Sequence, residues 1–208
     1  NIMENDELLG AASCTTNAIV PTLKVLNDEF DIQSGHIESV HSYTNDQNLI
    51  DNFHKKVRRG RSAALNMVIT ETGAGKAVGQ VLPELQGKLT ANAVRVPTPN
   101  VSLAIINLRF AKDITLEELN DFLRQKAFHS DLKEQIGFTN SPEVVSTDFV
   151  GDRHAGIIDS AATIVNGNKC VLYVWYDNEF GYTAQLLGLA KEMVGLTYQR
   201  YPNFSEST

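Results

Sequence analysis

Strand-like runs follow one another along much of this chain, and that succession limits its fold more than any other feature. Gly35 to Tyr43, Leu89 to Val96, Val101 to Phe110, and Ala161 to Val165 joined through Asn166-Gly167 to Lys169 to Tyr176 are rich in β-branched and aromatic residues. An Asn-Gly pair between two such runs is a hairpin signal, because both residues tolerate the left-handed backbone that matches strand twist. Strict βαβ alternation would put a helix between successive strands, and it is not the pattern here. The expectation is an α+β domain: a largely antiparallel or mixed sheet with helices packed on one face.

Three segments have helical periodicity. Ile19, Leu23, Leu26 and Phe30 share one helix face. Pro21 leaves two starts open. The regular helix begins near Val20 with the proline in its first turn, or it begins earlier and carries a kink where the proline removes a donor. Thr115-Leu116-Glu117-Glu118 reads as a capping box ahead of the stripe Leu116, Leu119, Leu123 and Phe128. Tyr182, Leu186, Leu189, Met193 and Leu196 mark a third helix whose apolar stripe needs a partner surface. With no repeat, low-complexity tract or linker, residues 1–208 read as one domain.

Function classes are narrowed by charge. A net charge of −7 with 42% apolar residues suits a soluble core-forming chain and argues against generic attraction to nucleic acid or anionic membrane. No apolar run approaches the roughly 20 residues that span a bilayer, and the acidic start Asn1 to Glu7 is no signal peptide, so a cytoplasmic setting is expected. Two cysteines, Cys14 and Cys170, are too few for a disulfide framework. Cys170, in the run Lys169 to Trp175, is expected in the core. Lys55 to Arg61 holds five cations in seven residues, readable as a solvated loop, a nucleic-acid patch or an anion site. Gly75-Lys76 is not a phosphate loop, since Thr70 and Ala77 stand where that motif needs Gly and Ser or Thr. No metal site is expected.

Cys14 lies in Ser13-Cys14-Thr15-Thr16-Asn17, at the start of an apolar helical run. If the helix begins there, its unpaired N–H groups and positive dipole end favour thiolate and can hold an oxyanion. A buried, inert cysteine is the alternative. A nucleophile also needs a base, and the candidates are His36, His41, His54, His129 and His154. His41 stands at a strand end, in His41-Ser42-Tyr43-Thr44-Asn45-Asp46-Gln47.

SCTTN followed 27 positions after its cysteine by the histidine of HSYTNDQ resembles the phosphorylating glyceraldehyde-3-phosphate dehydrogenase family. Arg58 to Ala64, Thr72 to Val78, Val81 to Leu85, Arg95 to Ser102 and Trp175 to Tyr182 also resemble family segments, in the family order. The resemblance runs from about Gly10 to Leu196 and implies the catalytic domain of that family.

It implies that Cys14 attacks the aldehyde carbon, that His41 takes the proton and assists hydride transfer to NAD or NADP, and that phosphate releases an acyl phosphate. Thr44 and Arg95 resemble the site for the substrate phosphate of glyceraldehyde 3-phosphate. Ser13, Thr72, Gly73 and Arg59 resemble the inorganic-phosphate site, with Thr15 as a weaker addition. Asn178 matches the asparagine that holds the nicotinamide carboxamide, and Tyr182 a neighbouring aromatic. The family also implies a homotetramer.

Dehydrogenases of this kind bind the dinucleotide on a domain with a glycine fingerprint, and no G-x-G-x-x-G occurs in the chain, which also opens without methionine. The expectation is a catalytic domain separated from an N-terminal dinucleotide-binding domain, with negligible dehydrogenase activity alone and a third helix deprived of its usual partner. Ala11 replaces the asparagine usual before Ala-Ser-Cys, and Asn52-Phe53 stands where NAD-preferring members carry Leu-Pro, which leaves NAD or NADP open. Three other readings remain: an erythrose-4-phosphate dehydrogenase, which Tyr43 to Asp46 and Thr72-Gly73 disfavour; a cofactor-independent Cys/His hydrolase or acyltransferase; and a noncatalytic binding module that uses the Arg-rich loop at subunit contacts.

Overall fold

A computed structural model describes residues 9–196. The elements run α1 (Cys14–Phe30), β1 (Ile32–Ser42), β2 (Val68–Thr70), α2 (Ala74–Val81), β3 (Leu89–Val96), β4 (Ser102–Phe110), α3 (Leu116–His129), β5 (Ile136–Thr139), β6 (Gly156–Asp159), β7 (Ile164–Asn166), β8 (Lys169–Tyr176) and α4 (Phe180–Met193). Eight strands form one sheet in the order β2-β3-β1-β4-β8-β6-β5, with β7 paired to β8. β1 with β3 and β5 with β6 run parallel, and the other described pairings are antiparallel. The chain is thus the expected α+β fold on a mixed sheet. β3 and β4, neighbours in sequence, flank β1 instead of pairing with each other.

Alternation along β4 explains which face is covered. Ala104, Ile106, Leu108 and Phe110 are buried, whereas Asn107 and Arg109 are exposed. The buried set joins Leu172 and Val174 of β8 with Ile19, Leu23 and Leu26 of α1, Val78 of α2, and Leu119 and Leu123 of α3 in one core. α1, α2 and α3 therefore lie on the same side of the sheet. Gly156 of β6 permits the close crossing of α1: a Cβ there would stand 2.6 Å from Ala18 O and 2.7 Å from Val174 Cγ1.

α1 takes the earlier of its two starts. Ser13 caps it, its Oγ accepting from Thr16 N at 3.2 Å, and the helix runs through Pro21. The lost N–H is offset by ten buried side chains along this helix, at about 1.5–3 kcal/mol for each large aliphatic one. In α3 the capping box forms in both directions, but the buried stripe is Leu119, Leu123 and Ala127. Leu116 and Phe128, expected in that stripe, are exposed at its margins.

Two further expectations are corrected. The run Ala161 to Val165 is not a strand throughout: Ala161 to Thr163 form a turn held to Asp159 by Ala162 N and Thr163 Oγ1, and β7 begins at Ile164. Val101 lies outside β4 with φ of 64°, a strained value for a β-branched residue. β2, β5, β6 and α2 were not expected, being short or glycine-interrupted. In α4, which touches α1, only Gly181 is buried; Tyr182 and Leu189 are half-buried, while Leu186, Leu187 and Met193, and Leu196 beyond its end, are exposed. No helix of the described residues is long and apolar enough to cross a membrane. The tail Tyr201 to Thr208 and the start Asn1 to Glu7 lie outside the described residues.

Candidate active site

One end of the sheet gathers the chemistry. Parallel pairing sets His41 at the end of β1 opposite Arg95 near the end of β3, and β2 places Val68 beside Arg95 from the other side. The first residue of β4, Ser102, pairs with the last of β8, Tyr176. Strand termini from β1, β3, β4 and β8 thus converge, and α1 starts above them at Cys14.

Cys14 Sγ lies 3.5 Å from His41 Nε2. On its other side, His41 Nδ1 lies 2.7 Å from Ser42 O, a contact that requires Nδ1 to carry the hydrogen and donate it. The Nε2 lone pair then faces the sulfur, as a base needs. Arg95 Nη1 stands 3.1 Å from Nδ1, but with the hydrogen on Nδ1 this is an approach of two donors. Burial of the ring, followed by the charge of Arg95, lowers its pKa from 6.5 to about 4, so the imidazole is neutral at pH 7.

Cys14 departs from the expected thiolate. Burial raises its pKa above the ordinary thiol value, outweighing the hydrogen bonds from Thr15 and the attraction of Arg95 that favour the anion. The helix terminus supplies what the sequence promised, yet desolvation of the sulfur wins. The resting pair is a thiol beside a neutral base.

Two guanidinium groups flank it. Arg95 Nη1 donates to Ser42 O at 3.0 Å and to Thr44 Oγ1 at 3.1 Å, while its Nε is buried without a hydrogen-bond partner. Burial, then repulsion from Arg59, lowers the pKa of Arg95 from its ordinary value. Arg59 is buried in the 3-10 turn Val57–Gly60, its Nε donating to Thr70 Oγ1 at 2.9 Å and its Nη1 paired with Asp46. Ser13 Oγ and Thr16 Oγ1 are 2.8 Å apart at the cap of α1, beside the thiol. Thr72 and Gly73 sit in the connection from β2 to α2, where Thr72 Oγ1 accepts from Ala74 N and Gly73 is the N-cap. Neither is hydrogen-bonded to Cys14, His41 or the arginines among the described residues.

Comparison with known proteins bears directly on this arrangement. A family model described as "Glyceraldehyde 3-phosphate dehydrogenase, C-terminal domain" matches residues 13–178, from the cap of α1 to the asparagine after β8. The chain belongs to the glyceraldehyde-3-phosphate dehydrogenase family. It is 62% identical to a "Glyceraldehyde-3-phosphate dehydrogenase-like protein" of Pseudomonas aeruginosa (strain UCBPP-PA14) over 97% of this chain and 44% of that protein. It is 46% identical to the glyceraldehyde-3-phosphate dehydrogenase of Priestia megaterium over 90% of this chain and 56% of that protein. A third relative, glyceraldehyde-3-phosphate dehydrogenase 1 of Bacillus subtilis, is 46% identical over 89% of this chain and 55% of its own. The chain spans about half the length of the curated relatives it matches.

In this member of the glyceraldehyde-3-phosphate dehydrogenase family the turn after β8 is held from several sides. Asn178 Oδ1 accepts from Ser42 Oγ and from Ser102 Oγ, each at 2.9 Å, which turns its Nδ2 amide away from both hydroxyls. Asp177 accepts from Glu179 N and Phe180 N with one oxygen and from Gly151 N with the other, pinning the start of α4. Tyr182 follows in the first turn of α4, half-buried. Beneath the thiol–imidazole pair, the buried Tyr176 hydroxyl bonds Thr15 Oγ1 at 2.9 Å and Ser39 Oγ at 2.7 Å, tying α1 to β1.

Sequence reasoning singled out neither Ser42, Ser102, Tyr176 nor Asp46. All four lie inside motifs that it quoted, but their roles come from partners on other strands, and nothing in local spacing marks them. Of the other histidines, His36 bonds Thr90 and Asn92 and His154 bonds Asp152, away from the thiol, whereas His54 lies 3.3 Å from Asp46, the partner of Arg59. His129 ends α3, and Cys170 is a buried thiol pushed up to about 12 by desolvation. Both cysteines are free.

Proposed function

We propose that this chain is the catalytic half of an NAD(P)-dependent phosphorylating glyceraldehyde-3-phosphate dehydrogenase. The observation that carries the reading is a thiol 3.5 Å from a neutral imidazole whose free lone pair points at it, with two guanidinium groups alongside. A hydrolase needs the first half of that arrangement but has no use for two arginine sites.

In this reading Cys14 Sγ attacks the aldehyde carbon as His41 Nε2 removes the thiol proton, which avoids forming a free buried thiolate. Arg95 and Thr44 hold the substrate phosphate, and their fixed geometry orients the aldehyde over the sulfur. A bound nicotinamide would supply the hydride acceptor that oxidation of the hemithioacetal to a thioester requires. Asn178 is suited to that group: with Oδ1 held by two serines, its Nδ2 can only donate, as a carboxamide oxygen requires. Tyr182 is assigned to the same side. Inorganic phosphate held by Arg59, Ser13, Thr15, Thr72 and Gly73 then attacks the thioester carbonyl. The C–S bond breaks, the acyl phosphate leaves, and His41 returns its proton to the sulfur.

Dinucleotide binding belongs in this reading to a separate N-terminal domain that covers the exposed stripe of α4, and the active protein is a cytoplasmic homotetramer. The test is an assay of the full-length protein with glyceraldehyde 3-phosphate, phosphate and NAD or NADP. Phosphate-dependent cofactor reduction is expected with one of the two, abolished by Cys14→Ala and slowed about 10² to 10⁴-fold by His41→Asn. Turnover of erythrose 4-phosphate in preference, or of activated esters without cofactor, would replace the proposal by one of its rivals.

A further inference from the structure

Asp46 sits on the guanidinium that the reading above gives to inorganic phosphate. One carboxylate oxygen pairs with Arg59 Nη1, and the other lies 3.3 Å from His54 Nε2. His54 Nδ1 lies 2.9 Å from Lys56 N and 3.1 Å from Lys56 O; the shorter contact has Nδ1 accepting, which leaves Nε2 to donate to Asp46. The two members of the Arg59 pair differ in freedom. Arg59 has 8% of its side chain exposed and is tethered through Nε to Thr70, whereas Asp46 is 52% exposed. Anything that separates them moves the aspartate, not the arginine.

Charge balance gives Asp46 a task whenever no other anion lies on Arg59. Arg59 repels Arg95, while the Asp46 carboxylate acts on Arg95 in the opposite sense. Without an anion, a buried guanidinium facing a second one is costly, and Asp46 offsets that cost. An oxyanion that arrives at this guanidinium meets a carboxylate already on Nη1, and two anions on one cation repel.

We propose that Asp46 is a built-in, displaceable anion that competes with inorganic phosphate for Arg59 and so sets the affinity of that site. On displacement its second oxygen keeps the bond to His54, so the carboxylate pivots out and returns when the phosphate leaves. This inference rests on Arg59 being a phosphate ligand. It is a positioning and affinity-setting role, with no part for Asp46 in proton transfer.

Competition and mere support predict opposite signs. The experiment is calorimetric titration of inorganic phosphate into the full-length protein, comparing wild type with Asp46→Asn, Asp46→Ala and Arg59→Gln. Arg59→Gln identifies the phosphate-binding component that depends on this arginine. Competition predicts that both Asp46 variants tighten that component by about 1.5-fold to fivefold, the range for an ion pair of this exposure. Unchanged or weaker binding in Asp46 variants with wild-type circular dichroism would overturn it while leaving Arg59 as a ligand. Phosphate binding that survives Arg59→Gln intact, or is absent in the wild type, would instead end the assignment of Arg59 and the competition with it. Should Asp46→Asn misfold, Asp46→Ala at the exposed position carries the same comparison.

Discussion

The hydroxyl of Tyr176 bridges Thr15 and Ser39, joining the first turn of the helix that carries Cys14 to the strand that carries His41. Sulfur and imidazole belong to separate elements, so their 3.5 Å separation depends on how α1 is seated on β1. Tyr176→Phe removes the bridge and leaves two buried hydroxyls short of a partner. A loss of about 1–3 kcal/mol is expected by urea denaturation. In the full-length protein acylation should slow as the pair loosens; an unchanged acylation rate would show that α1 is held by its apolar face alone.

Cys14 titrates late because burial outweighs the groups that favour its anion. Carbamidomethylation of this chain by iodoacetamide, followed by mass spectrometry at Cys14, should therefore keep rising beyond pH 9. Cys170, with a thiol pushed up to about 12 and a buried side chain, should stay unmodified in the native state. A Cys14 rate already level by about pH 7 would mean a thiolate at rest and contradict the neutral pair.

His41 links stability to pH. Its folded pKa is about 4 against 6.5 when unfolded, so above pH 6.5 both states hold it neutral and no dependence arises. As pH falls from 6.5 toward 4 the unfolded chain takes up the proton first, and folding loses up to about 3 kcal/mol through this group. His41→Asn should flatten the stability curve in that window relative to wild type. Parallel curves would mean that the ring is protonated in the folded protein.

Gly156→Ala should act on the same pair from outside it. The new methyl group meets Ala18 O at 2.6 Å, so α1 must lift or the strand must shift. About 1–3 kcal/mol of destabilisation is expected in thermal or urea denaturation. An unchanged midpoint would mean that the crossing of α1 over β6 is looser than its contacts indicate.

Much of the fold was legible in residue pattern. The period of Ile19, Leu23, Leu26 and Phe30, the capping box at Thr115, and the Asn166-Gly167 hairpin are local signals, and each has its expected counterpart. β2, β5 and β6 are too short to carry a period of their own. Val101 adopts its positive φ because the chain must turn into β4, and no propensity announces it.

By itself the sequence determined the candidates: a thiol at a helix start, a histidine at a strand end and arginines in two motifs downstream. Only the tertiary structure decided their protonation, the tautomer of His41, the amide orientation of Asn178 and the presence of Asp46 on Arg59. The physical reason is that motif and period are written in neighbouring residues. Desolvation, hydrogen-bond competition and charge pairing depend instead on groups that are distant in sequence and meet only when β1, β3, β4 and β8 end together beneath α1.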